Sequence, residues 1–285
     1  MQINHPDTAL DYSTAGGGGV RGPDGGRKTV NLLTGEEDAP NNYRLNVNLG
    51  GGPGGVQPRH RHTFDQFRCI REGYYEMGTV ELEPWDIAYI PENCFYGPNT
   101  SGPDVKVIDI QFGGASGRGY PSMAQRRKGM DALRAKGGRF ENGLHITVDE
   151  NGKQHNQDGF EALQEELWGR KVDYLPPRYT SQVYMRPSSF SWVKDPDASG
   201  VAWKMMGRFT ERDIRCAYIQ VDKGATLHLG TEPAPEFVWI KEGSLSFNGT
   251  DHPELTAFGT TTEEEPGALV ATEPTELIYF KLPTF

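Results

Sequence analysis

Alternating hydrophobic and polar residues mark a first β-rich unit, which we predict at 41–118. Leu45, Val47 and Leu49 alternate with polar residues, a period of two that is typical of a strand with one buried face. Further short hydrophobic runs follow at 67–70, 79–82, 87–90 and 105–112. Glycine or proline between the runs supplies the tight reversals that a small barrel needs.

A second β-rich unit is predicted at 201–285, with strand-like runs at 217–221, 237–240, 244–247, 268–271 and 277–282. Residues 1–40 are polar and rich in glycine at 16–26, which predicts an arm with no core of its own. The chain therefore divides into an arm, a first β unit, a connecting segment and a second β unit.

The connecting segment, 119–200, has a different character. Its stretches 123–136 and 158–170 have helical composition, with Asp158 placed to cap the second helix. The Asn151-Gly152 pair predicts a hairpin turn between them. We expect the basic run Arg126-Arg127-Lys128 to face solvent. The aromatic residues of 174–192 are expected to pack between the two β units and across a subunit interface.

Composition supports an all-β protein that binds a small molecule. Of the 285 residues, 35% are hydrophobic, and the 36 glycines and 20 prolines suit short strands joined by turns. A net charge of -10 argues against nucleic acid or an anionic membrane as a partner. Three scattered cysteines form no disulfide framework, and no leader or transmembrane pattern is present, so we expect a cytoplasmic protein. Barrels often cover exposed edges by self-association, and we expect a homodimer.

The chemistry is concentrated in the first β unit, around the sequence His60-Arg61-His62. Five residues separate a glycine at 54 from His60, three separate His62 from Gln66, and six separate Gln66 from a glycine at 73. Residues i and i+2 of a strand point to the same face, so both imidazoles can bind one metal ion. The alternative is an exposed histidine pair that binds an anion or nothing.

This spacing resembles the first motif of the cupin superfamily: glycine, five residues, HxH, three or four residues, glutamate, six residues, glycine. The resemblance implies a double-stranded β-helix, or jelly roll, with His60, His62 and Gln66 as metal ligands inside it. Gln66 stands where glutamate is usual, which replaces an anionic ligand by a neutral oxygen and should weaken metal affinity. Gln66 could instead bond only to backbone or water.

A degenerate second cupin motif is found around Pro91. Trp85 and Asn93 replace its two glycines, Tyr96 replaces its metal-binding histidine, and Thr100 its asparagine. A phenol can bind a transition metal or act beside it as an acid or base, so Tyr96 is a candidate ligand and catalytic residue near the rim of the metal cavity. A cavity-lining phenol without chemistry is the alternative.

The second β unit repeats the frame of the first motif without its histidines. Glycines at 224 and 243 are kept and Glu236 stands at the acidic position, but Gly230 and Glu232 occupy the histidine positions. His228 lies two residues early. Two copies of one spacing indicate a bicupin whose C-terminal barrel has a degenerate site. We expect Glu232 and Glu236 to lie at the surface.

Three functions remain open for such a chain. The first is a metal-dependent enzyme, most simply a dioxygenase that acts on a small oxygen-rich or aromatic compound. The second is a non-oxidative isomerase or lyase, in which Tyr96 moves a proton. The third is a bicupin that binds a small molecule without catalysis. The resemblance implies one divalent transition metal per chain, Fe, Zn, Mn or Ni.

Overall fold

The computed structural model describes residues 1–9, 28–262 and 264–285. The glycine-rich stretch on which the predicted arm rests, 16–26, lies outside these residues. In the first part of the chain the strands are β1 (Gln2–Asn4), β2 (Thr29–Thr34), β3 (Tyr43–Asn48), β4 (Gly55–Gln57), β5 (Asp65–Glu72), β6 (Tyr75–Met77), β7 (Val80–Leu82), β8 (Ile87–Ile90), β9 (Asn99–Ser101) and β10 (Lys106–Phe112).

The remaining elements follow in two groups. The middle of the chain contains α1 (Met123–Ala135), β11 (Arg139–Glu141), β12 (Leu144–Val148), β13 (Gln154–Asp158), α2 (Gly159–Trp168), β14 (Val183–Met185), a 3₁₀ turn (Pro187–Ser189) and β15 (Val193–Lys194). The last part contains β16 (Val201–Phe209), β17 (Ile214–Val221), β18 (Thr226–Leu229), β19 (Glu236–Glu242), β20 (Leu245–Phe247), β21 (Thr250–His252), β22 (Ala257–Gly259), β23 (Gly267–Ala271) and β24 (Thr275–Lys281).

These strands build two barrels, each made of a large and a small antiparallel sheet. The N-terminal barrel joins a six-stranded sheet, β14-β8-β5-β10-β3-β2, to the four-stranded sheet β4-β9-β6-β7. The C-terminal barrel joins a seven-stranded sheet, β1-β22-β19-β24-β17-β16-β15, to the four-stranded sheet β18-β23-β20-β21. The predicted fold class, all-β with two jelly-roll barrels and a small helical insert, is confirmed.

Each barrel is completed by a strand from a distant part of the chain. Strand β1 adds to the C-terminal barrel, where Ile3 is paired with Phe258. Strand β14 adds to the N-terminal barrel, where Tyr184 is paired with Ala88. Strand β2, inside the predicted arm, pairs with β3 and extends the N-terminal barrel back to Thr29.

The connecting segment contains the predicted helices and hairpin. Helix α1 begins after Ser122, whose side chain accepts a hydrogen bond from the Gln125 amide in a capping box. Helix α2 begins after Asp158, which accepts hydrogen bonds from two backbone amides of the first turn. Strands β12 and β13 form the hairpin around 149–153. Among the described residues, no helix is long and apolar enough to cross a membrane.

The two large sheets pack against each other through one apolar cluster. Phe67 of β5 lies 5.1 Å from Phe280 of β24, measured between ring centroids. Tyr179, Phe190 and Trp192 of the connecting segment pack against the same cluster. The prediction that aromatic residues of 174–192 pack between the barrels is confirmed for these three.

The alternation along each strand then decides what lines each barrel lumen. In β5, Phe67 and Cys69 belong to the cluster between the barrels, so Gln66 and Arg68 point into the N-terminal lumen. In β19, Phe237 and Trp239 belong to the same cluster, while Val238 and Ile240 belong to the apolar core of the C-terminal barrel. The C-terminal lumen is therefore filled mainly with apolar side chains, whereas the N-terminal lumen combines an apolar cluster, which includes Ile70 and Ile90, with a cavity that polar side chains line.

The backbone keeps the shape of the second motif although its glycines are gone. Trp85 and Asn93 have φ angles of 74° and 65°, a left-handed conformation that glycine adopts at least cost. Leu255 of the C-terminal barrel has a φ of 71°, and its amide bonds the Ile240 carbonyl as the Trp85 amide bonds that of Ile70. The two barrels thus repeat one turn, which supports the alignment that places Tyr96 at the histidine position.

Candidate functional site

His60 and His62 lie on a short segment that pairs with the segment containing Tyr96. The amide of His60 donates to the Tyr96 carbonyl at 3.0 Å, and the Tyr96 amide donates to the His60 carbonyl at 2.9 Å. The imidazole centroids of His60 and His62 are 4.9 Å apart, and each residue is only 8% exposed. Both line a cavity in the N-terminal barrel. The alternative of an exposed histidine pair is therefore wrong.

The hydrogen bonds of His60 determine which ring nitrogen carries the hydrogen. Nδ1 lies 2.7 Å from the carbonyl of Pro58, which can only accept, so Nδ1 carries the hydrogen and Nε2 the lone pair. The Tyr96 hydroxyl donates to Nε2 at 2.7 Å, and Gln57 Nε2 lies 2.8 Å from the same nitrogen. A backbone acceptor at Nδ1 is the usual support of a metal-binding histidine.

The imidazole of His62 is held by aromatic rings, one of which comes from the insert. Phe64 stacks on it at a centroid distance of 4.6 Å, and Phe160 of α2 meets it edge-on at 4.8 Å. Gln164 of α2 also donates a hydrogen bond to the hydroxyl of Thr63. The insert thus helps to position a predicted site residue, a role that its sequence did not reveal.

Gln66 and Tyr96 lie behind His60 and are not among the residues that line the cavity. Gln66 Nε2 donates to the Tyr96 hydroxyl at 3.2 Å, and Gln66 Oε1 accepts from Gln111 Nε2 at 3.0 Å. Gln66 and Tyr96 are 0% and 1% exposed. The structure therefore brings all four predicted site residues together, but Tyr96 packs in the apolar core of the N-terminal barrel and not at the rim of the cavity.

A cavity of about 680 Å³ opens beside these residues. Four arginines line it, Arg44, Arg59, Arg68 and Arg126, against two acids, Asp109 and Asp158. Asp109 accepts from Arg68 Nε at 2.8 Å; burial opposes the charge on Arg68, yet Asp109 raises the pKa of Arg68 above its ordinary value. The lining is thus positive and favours an anionic ligand.

The basic run was expected to face solvent, which holds for Arg127 and Lys128 but is wrong for Arg126. The Arg126 guanidinium donates to the Tyr120 hydroxyl at 2.8 Å and lies 4.8 Å from the Phe160 ring centroid. Helix α1 packs on α2 above the barrel opening, so this face of α1 covers the cavity. A helical period alone does not show that a basic face is covered by a neighbouring element.

Comparisons with known proteins bear on the fold alone. No family model matches the sequence, and no curated protein matches it. Among solved structures, a protein of Nostoc punctiforme, described provisionally as a dioxygenase, has a TM-score of 0.64 at 11% identity, covering 99% of this chain and 82% of that one. Oxalate decarboxylase of Bacillus subtilis, a protein with Mn(II) centres, has a TM-score of 0.51 at 9% identity, covering 100% of this chain and 77% of that one. The fold is that of a two-barrel cupin.

In the C-terminal barrel, the position of Gln66 is occupied by Glu236, which stabilises a backbone turn. Glu236 Oε2 accepts hydrogen bonds from the amides of Gly230, Thr231 and Glu232 at 2.7, 2.8 and 3.3 Å. The Tyr279 hydroxyl donates to Oε1, and burial together with Glu236 raises the pKa of Tyr279. Glu236 is 3% exposed, so its expected surface position is wrong.

Cations on the neighbouring strands complete this structural network. Lys281 Nζ lies 2.8 Å from Asp213, and Arg215 Nη1 donates to Glu232 at 2.8 Å. Strand pairing makes Arg215 and Lys281 the equivalents of Arg44 and Gln111. The C-terminal barrel thus neutralises its own charges, while Arg44 in the N-terminal barrel faces a cavity.

Glu236→Ala should lower the free energy of unfolding by about 3 kcal/mol, because three backbone amides lose a charged acceptor. Glu236→Gln should cost less, since an amide oxygen still accepts. Urea denaturation of both variants measures the difference. Neither substitution should change metal content, and a bound ion lost with Glu236→Ala in folded protein would contradict a structural role.

The N-terminal donors fit a transition metal only in part. Two imidazoles flank the cavity, but His60 Nε2 would bind an ion only after the Tyr96 hydroxyl turns away from its lone pair, and Gln66 and Tyr96 add only neutral donors. Within the described ranges, no cluster of three His, Cys, Asp or Glu side chains could hold a metal ion. His60 and His62 are therefore the residues that would hold it, and Gln66 and Tyr96 support His60.

Proposed function

We propose that the N-terminal barrel is a metal-dependent catalytic centre, and that the protein is a dioxygenase acting on a small oxygen-rich or aromatic compound. The observation that carries this proposal is the position of His60 and His62, which line a cavity of about 680 Å³ in one barrel while the other barrel is filled. A cavity of this size suits a single small molecule.

A divalent transition metal held by the two imidazoles would supply Lewis acidity and, if it is redox-active, electron transfer to oxygen. The chain's own residues bind and orient the substrate. Phe64 and Phe160 fix the His62 ring, and Pro58 fixes the tautomer of His60. The arginines of the lining attract an anionic substrate, which would also offset the charge of the ion.

A specific contact favours a non-oxidative isomerase or lyase as the second candidate. The Tyr96 hydroxyl donates a hydrogen bond to His60 Nε2 at 2.7 Å and accepts one from Gln66 at 3.2 Å. A buried phenol placed between a donor and a basic nitrogen is suited to move a proton. Such a reaction would need the same cavity and the same histidines, but not oxygen.

Metal analysis and oxygen uptake separate these candidates. Protein purified without chelator is analysed for Fe, Mn, Ni and Zn, then stripped and reloaded with each ion. Oxygen uptake is measured with a panel of hydroxylated aromatic and aliphatic acids. Iron-dependent uptake linked to substrate loss supports the dioxygenase. Metal-dependent turnover without oxygen supports the isomerase or lyase, and ligand binding without turnover would contradict both enzymes.

A further inference from the structure

Two polar side chains on the lumen face of the N-terminal barrel have hydrogen-bonding groups that the described residues leave unused. Asn31 is 7% exposed, and neither its amide nitrogen nor its oxygen has a partner among them. Arg44 Nε is also buried without a partner there. Both side chains line the cavity. Leaving such groups buried and unpaired is costly, so the pattern indicates a binding surface.

The guanidinium of Arg44 lies close to that of Arg126 from the insert. Arg44 Nη1 is 3.0 Å from Met123 Sδ, and Arg126 Nη1 is 3.7 Å from the same sulfur. Arg44 Nη2 also donates to Gln111 Oε1 at 3.2 Å. Two like charges therefore approach one uncharged side chain, an arrangement that an anion between them would relieve.

Both acidic side chains of the cavity lining already accept hydrogen bonds from the protein. Asp109 accepts from Arg68 at 2.8 Å, and Asp158 accepts from the backbone amides of Phe160 and Glu161, each at 2.9 Å. In the parts of the chain that the structure describes, no carboxylate forms an ion pair with Arg44. Arg44 is therefore available to pair with an anionic ligand in the cavity.

We infer that the cavity takes a small carboxylic acid, whose carboxylate is held by Arg44 and Arg126 and whose body extends towards His60 and His62. The planar guanidinium matches a carboxylate with two parallel hydrogen bonds. Arg44, Gln111 and Gln66 are direct neighbours on three adjacent strands, so Arg44 lies about 10 Å from Gln66. An aromatic or short aliphatic acid spans this distance.

This inference deepens the proposed function by naming the substrate class, but its test needs no metal and no turnover. Benzoate and its neutral analogue benzamide are titrated into metal-stripped protein by calorimetry. Benzoate should bind at least roughly tenfold more tightly than benzamide. Equal affinity of the two, or no binding of benzoate by folded protein, would overturn the inference.

Substitutions of the two arginines test whether they cause the preference for benzoate over benzamide. Arg44→Met and Arg126→Met should each weaken benzoate binding roughly tenfold or more and weaken benzamide binding much less. Arg139→Met, on the exposed strand β11, is the matched control and should bind both compounds like the wild type. Benzoate affinity unchanged in Arg44→Met would also overturn the inference. If Arg44→Met does not fold, Arg44→Lys keeps the charge and should still lose several-fold in affinity.

The His60→Ala/His62→Ala double variant separates failure of the carboxylate site from failure of the proposed enzyme. It should keep the preference for benzoate over benzamide in metal-stripped protein, because the carboxylate meets arginines and not imidazoles. Loss of this preference in the folded variant would move the carboxylate to the histidines and contradict the assignment to Arg44 and Arg126.

Discussion

His60→Ala/His62→Ala should reduce bound metal from about one ion per chain to less than about a tenth of that. The two imidazoles are the strongest donors among the described residues at the cavity, and no carboxylate or thiolate cluster stands in for them. Metal is measured by elemental analysis of protein purified without chelator. Circular dichroism and thermal unfolding check that the variant is folded.

His155→Ala/His228→Ala is the matched control, since it removes the same number of imidazoles from exposed strand positions. His155 bonds Asp149 on the insert hairpin, and His228 lies on β18 of the C-terminal barrel. This control should keep the wild-type metal content. Retention of metal by the His60→Ala/His62→Ala protein would remove the metal centre from the N-terminal barrel and leave the cavity as a binding site only.

The predicted site residues were found because they are close in sequence or belong to one motif. His60 and His62 share a segment, and the turn that brings Tyr96 to His60 keeps left-handed backbone at Asn93 even without glycine. What the motif could not give is the orientation of Tyr96. Tyr96 is buried because it packs in the apolar cluster of the N-terminal barrel, where the Gln66 amide donates to its hydroxyl.

The residues that sequence reasoning missed come from separate strands and from the insert. Arg44, Asn31 and Gln111 alternate with hydrophobic residues along β3, β2 and β10, and the alternation correctly indicated strands. It did not show which face meets solvent, because the second barrel covers the hydrophobic faces and leaves the polar ones to the lumen. The polar residues that alternate with the hydrophobic ones on these strands were the sequence signal that could have identified the cavity lining.

The fold itself was predictable from spacing, but its strand exchanges were not. The pairing of Ile3 with Phe258 joins segments at opposite ends of the chain, and three-residue strands carry little pattern of their own. Strand β14 is equally short and follows a helical insert. Each of these short segments becomes a strand by pairing with the edge of a large sheet, so no local property of the sequence identifies it.

Tyr96→Phe should lower turnover by the proposed enzyme roughly 10²-fold while most of the metal is retained. The substitution keeps the ring and removes only the hydroxyl, which donates to His60 Nε2 at 2.7 Å and accepts from Gln66 at 3.2 Å. Tyr96 does not line the cavity, so it acts on the reaction through His60. Removing the hydroxyl leaves the Gln66 amide without this acceptor, which should cost about 1–2 kcal/mol of stability.

Tyr184→Phe is the matched control for Tyr96→Phe, because it removes a half-buried hydroxyl from a side chain that packs on the same barrel core. Among the described residues, this hydroxyl bonds only the Met77 carbonyl and Gln182. It should keep wild-type turnover. The pH profile of kcat separates proton movement from positioning: loss of one limb in Tyr96→Phe indicates that the phenol moves a proton, whereas an unchanged profile at lower kcat indicates that it only orients His60. Wild-type kcat in folded Tyr96→Phe would show that the phenol only packs in the barrel wall, and the chemistry would then rest on the two histidines and the cavity arginines.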